Sequence, residues 1–120
     1  MKSIRSIFRG RVISLGRVRD VITFRESNEE IKLRVDADAR TLMAGMKKLQ
    51  ATLGELDAND ETAVRRAAVE FSECLFGAEQ SNSIFQFYSG DARAVIRACG
   101  EYSKRYLLKR ITKAQEKAGV

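Results

Sequence analysis

The chain has 120 residues, of which 44% are hydrophobic and 32% charged, with no histidine, no proline and two cysteines. This balance fits one domain with its own core and argues against a disordered or disulfide-stapled chain. The net charge of +6 is laid out in blocks: Lys2, Arg5, Arg9, Arg11, Arg17 and Arg19 stand with no acid among them, residues 20–92 are net acidic, and residues 93–120 are net basic again. A basic chain of this kind suggests nucleic acid or an acidic surface as partner, whereas alternating blocks can also meet within one fold or between copies of it, or stay solvated.

Residues 1–18 read as a basic N-terminal arm or an extra strand, followed by a single domain over residues 19–120. Ile4, Ile7, Phe8, Val12 and Leu15 lie near helical spacing with bases between them, while Gly10 and Gly16 weaken a helix and Arg11–Leu15 fits a short strand. The same stretch has the Arg-rich, acid-free look of an organellar transit peptide. Arg5, Phe8, Arg9 and Arg11 are its candidate contact residues. Val21-Ile22-Thr23-Phe24 and the alternating Ile31-Lys32-Leu33-Arg34-Val35 predict a hairpin over about residues 20–35, turning at Glu26–Glu29. Its face of Ile31, Leu33 and Val35 must be covered by the helices after it, because a lone hairpin is marginal in water.

Everything after Asp36 predicts helix. Asp36 or Asp38 caps a first helix, on which Leu42, Met46, Leu49, Leu53 and Leu56 form one apolar stripe. Asp57–Asp60 separates it from a second helix carrying Val64, Ala68, Phe71 and Leu75 and ending at Gly77. A short third helix, about Glu79 to Tyr88, crowds Phe85, Phe87 and Tyr88 together, so one of the three is expected at an edge. Gly90 and Asp91 break the chain before a fourth helix running to about Lys117. That helix shows two apolar stripes, Val95-Cys99-Tyr102-Tyr106 and Ile96-Leu107-Ile111-Ala114. The second is expected to be surplus to the core and to meet a partner, with Lys109 and Arg110 beside it. The predicted fold is therefore mainly α (α+β), an N-terminal hairpin packed on about four helices, with Leu49, Phe71 and Val95 inside.

Catalytic chemistry is hard to assemble from these residues. Without histidine there is no Ser-His-Asp arrangement and no usual zinc partner for cysteine. Cys74 and Cys99 sit in apolar helical patterns and read as small core residues. No glycine-rich phosphate loop can be drawn, and Asp57–Glu61 lacks the glycine and the final glutamate of a calcium loop. The chain is expected to be non-enzymatic, to need no cofactor or metal, and to hold no membrane span, since no apolar run approaches about 18 residues.

The order of elements, with Leu75-Phe76-Gly77, Phe87-Tyr88-Ser89-Gly90-Asp91 and the ending Lys113-Ala114-Gln115, resembles the small tail assembly chaperones of long-tailed phages and prophages of Gram-positive bacteria over residues 20–118. The resemblance implies a protein of the bacterial host cytoplasm, absent from the mature virion. It would coat the helical tape measure protein and help recruit the tail tube protein, as a homo-oligomer and in some phages with a longer frameshifted form. The first 18 residues depart from that pattern. Two other readings compete: a small nucleic-acid-binding protein using the arm, whose affinity would fall steeply with salt, and a peripheral membrane protein using residues 4–15 as an interfacial helix.

Overall fold

A computed structural model describes residues 16–117. Two long strands, β1 (Arg17–Glu26) and β2 (Glu29–Asp38), form an antiparallel hairpin, followed by α1 (Ala39–Gly54), α2 (Glu61–Phe87), α3 (Ala92–Tyr102), a π turn at Ser103–Leu107 and α4 (Leu108–Lys117). The predicted architecture of a hairpin on helices is the observed one. The candidate arm contacts Arg5, Phe8, Arg9 and Arg11 lie outside the described residues.

The hairpin is longer than period-two alternation alone predicts. Arg17 pairs with Asp38 and Arg19 with Asp36 in the ladder, and Asp36 accepts the Arg17 guanidinium at 2.6 Å with Arg19 at 3.6 Å. The basic start of the chain and its acidic middle thus meet on the hairpin's outer face, and the Arg17 hydrogen bond holds the Asp36 carboxyl below its usual range. Residues 17 and 18 are the first two of β1, and Val18 is buried opposite Ala37. On the inner face Phe24, Leu33 and Val35 are buried, with Ile22 and Ile31 partly so.

The strand runs straight into α1. Asp38 holds the N-cap position without a side-chain cap bond, and the Gly16 carbonyl accepts from Ala39 N–H instead. Asp60 and Asp91 cap their helices through Ala63 N–H and Ala94 N–H, as expected of aspartates before helical runs. The predicted break at Gly77 is present as a kink, with φ 84 and ψ 165 at that glycine, a conformation that side-chain-bearing residues rarely adopt. Across the kink the hydroxyls of Ser72 and Ser81 are hydrogen-bonded in the core. Gln80 exchanges two hydrogen bonds with the backbone of Arg34, both 2.8 Å, tying the second limb of α2 to the edge of β2.

The C-terminal helix corrects the two-stripe reading. Val95, Cys99, Tyr102, Leu107 and Ile111 are all buried, whereas Tyr106 is 52% exposed. The core positions step by four, three, five and four. The five-residue step coincides with the π turn, whose extra residue rotates everything after it by about one helical position. One continuous core stripe therefore replaces the two drawn at a constant 3.6-residue period. Leu107 and Ile111 close the domain and are not available to a partner, and Ile96 is partly buried against the same core. Deleting Arg105, an exposed residue inside the π turn, converts the step of five into a regular step of four. The expected cost in urea unfolding is below about 1.5 kcal/mol, whereas deleting Arg97 from the regular part of the helix throws Cys99 to Ile111 off the core and is expected to cost several times more.

Candidate functional site

The hairpin is latched to the C-terminal helix through Asp20. Its carboxylate accepts from Val21 N–H and from the Tyr102 hydroxyl, both at 3.0 Å, and lies 3.6 Å from the Arg110 guanidinium. Burial, then the adjacent Asp20 charge, push the Tyr102 phenol far up. Arg110, expected beside a partner, is thus engaged within its own chain, while Lys109 is exposed. Phe24, Phe76, Tyr102 and Tyr106 form a run of aromatic contacts from core to surface, edge-on at the first and stacked at the next two.

Cys99 is buried in the core, as read from the sequence, and Cys74 is partly buried against it. Burial raises both thiols, that of Cys99 to about 12, and such a buried thiol is a poor nucleophile. Phe85 belongs to the core, with the Arg65 guanidinium over its ring, and Phe87 and Tyr88 pack edge-on at its rim. Among the described residues no helix is long and apolar enough to cross a membrane.

The feature that sequence reasoning missed lies between α1 and the C-terminal helix. On α1 only Ala39, Leu42 and Leu49 are fully buried. Met43, Met46 and Leu53, one to three turns apart on a neighbouring flank, are only partly covered. They form one wall of a groove of about 310 Å³, floored by Leu49 and Phe71 and closed on the far side by Gly100, Ser103, Lys104 and Leu108. Lys47 and Lys104 are its charged residues, and no acid lines it among the described residues. Methionines suit such a wall because their unbranched, polarisable side chains adapt to differently shaped partners. At about 310 Å³ the cleft stands at the lower end of the small-molecule range of roughly 300–1,000 Å³ and has room for a few anchoring side chains.

Two details of the far wall set it apart from ordinary packing. A Cβ added at Gly100 meets nothing within 4 Å among the described residues, so their packing has no steric need for glycine there, although glycine inside a helix costs roughly 1 kcal/mol relative to alanine. Ser103, at the start of the π turn, carries a buried hydroxyl with no hydrogen-bond partner among the described residues. Ser72, Ser83, Thr52 and Thr112 each bond the carbonyl four residues earlier, the usual outlet for a hydroxyl within a helix. Around Leu108, which is 40% exposed, the outer face of the π turn and α4 carries Arg105, Tyr106, Lys109 and Lys113. The groove therefore opens onto a basic surface. Comparison of the chain with protein-family models, with curated proteins and with solved structures finds no match.

Proposed function

We propose that this protein is a non-enzymatic assembly chaperone that holds an exposed helix of another protein in the groove between α1 and the C-terminal helix. The observation that carries the reading is the methionine wall, Met43 and Met46 with Leu53, facing Leu108 across a cleft sized for side-chain anchors. An amphipathic helix laid into such a groove presents anchors at i, i+3, i+4 and i+7. In the setting implied by the tail-chaperone resemblance, that helix belongs to the tape measure protein. Several copies of the chaperone would cover it in the host cytoplasm, recruit tail tube subunits and leave before the particle matures. The nucleic-acid reading loses part of its basis because Arg17 and Arg19, two of the bases assigned to it, pair with Asp36.

The test is co-expression with the long helical protein encoded beside this gene. The expected result is a partner that stays in the soluble fraction with the parent chain and precipitates with a Met46→Lys variant that itself melts like the parent. A partner equally soluble with both proteins, or with neither, contradicts the reading.

A further inference from the structure

We infer that the groove selects a partner helix with acidic residues along its flanks and a small residue where it packs against Gly100. This inference rests on the reading of the groove as a helix site and adds the chemistry of the occupant. The flanks follow from charge. Lys47 and Lys104 stand on opposite walls, and the basic face of Arg105, Lys109 and Lys113 continues from them with only Glu116 among the lining residues as an acid. A helix with glutamates on both edges places one row against each wall, and a helix edged with lysines is repelled by both.

The small residue follows from Gly100. Its missing side chain leaves the far wall open at that position, where a crossing backbone can come close. Ser103 lies three residues on and lines the same wall. The protein's own basic N-terminal segment, with Lys2, Arg5, Arg9 and Arg11, has the wrong sign for this site. A second copy would have to offer an acidic helix face, such as that of the exposed Glu70 and Glu73 on the first limb of α2.

The experiment measures fluorescence anisotropy of the full chain with two labelled peptides of roughly 20 residues, long enough to be helical when bound. Both carry leucines at i, i+3, i+4 and i+7 around a central alanine, one with glutamate flanks and the other with lysine flanks. The glutamate peptide is expected to bind at least about tenfold more tightly at low salt, as two or more ion pairs of ordinary surface strength imply, with the preference shrinking in 0.5 M salt. Gly100→Leu fills the open wall and is expected to abolish binding while melting at or above the parent's temperature, because leucine is the better helix former. Equal affinity for the two peptides overturns the acidic-flank inference and leaves the helix site standing. Binding of neither overturns both. Undiminished binding to Gly100→Leu overturns the placement at Gly100. Displacement of the glutamate peptide by a single-stranded oligonucleotide, with direct binding of that oligonucleotide, assigns the basic face to nucleic acid and overturns the inference. Preference for the glutamate peptide that disappears at micromolar concentrations where light scattering shows self-association assigns the groove to a second copy, and likewise overturns it.

Discussion

Replacing Ile111 by Asp is expected to unfold the protein. Ile111 is fully buried, one turn beyond Leu107, which is also fully buried. An ionised carboxylate at that depth without a partner is far costlier than a cavity, so in practice the chain expels it or unfolds. Expelling it means undocking α4, which carries the Leu108 end of the groove and holds the hairpin through Arg110 and Asp20. A domain of this size has only about 5–15 kcal/mol of stability to lose. The expected circular dichroism signature is a large loss of helical signal at room temperature, or at least the loss of a cooperative melt. A folded Ile111→Asp protein with an unchanged melting temperature would return this side chain to the surface and contradict the register set by the π turn.

Phe71→Ala is expected to cost about 3–5 kcal/mol, the range for deleting a buried aromatic ring. Phe71 is 6% exposed, lies on the first limb of α2 and floors the groove together with Leu49. Its removal leaves a void between α1 and α2 that the surrounding side chains fill only partly. For a chain of this length the melting temperature should fall by at least about 10 °C. A drop of only a degree or two would mean that the floor is plastic and that the groove has no fixed shape. The variant should also lose affinity for a docked helix beyond what its lower stability explains, since the anchors then rest on nothing.

How much of this was legible depended on whether the signal was periodic. Ile31, Leu33 and Val35 announced the hairpin by alternation, and Asp60, Gly77, Gly90 and Asp91 announced helix ends by their backbone chemistry. The extension of β1 back to Arg17 was hidden, because Arg17 and Arg19 read as members of a basic arm. Only the ladder placed them opposite Asp38 and Asp36, where opposite charges lengthen a strand pair. The π turn was hidden for a different reason. A constant period of 3.6 split Val95 to Ile111 into two stripes, and a single step of five between Tyr102 and Leu107 unites them. That step was visible in the sequence but has meaning only once burial shows which residues share a face. The groove left one sequence-level trace, Gly100 in the interior of a helix with no turn to make. The stripe on α1 was read as uniformly core, and the structure divides it: Leu42 and Leu49 go inside, while Met46 and Leu53 remain half-covered along the groove.

The most direct measurement of the central claim is amide hydrogen exchange on the full chain, with and without a saturating amount of the glutamate-flanked peptide. If the groove holds a helix, protection should rise along residues 43–53 and 100–108, on both walls together, and remain unchanged along the hairpin at residues 17–38. Protection confined to the hairpin, or absent from both groove walls when the peptide is demonstrably bound, would contradict a helix site between α1 and the C-terminal helix.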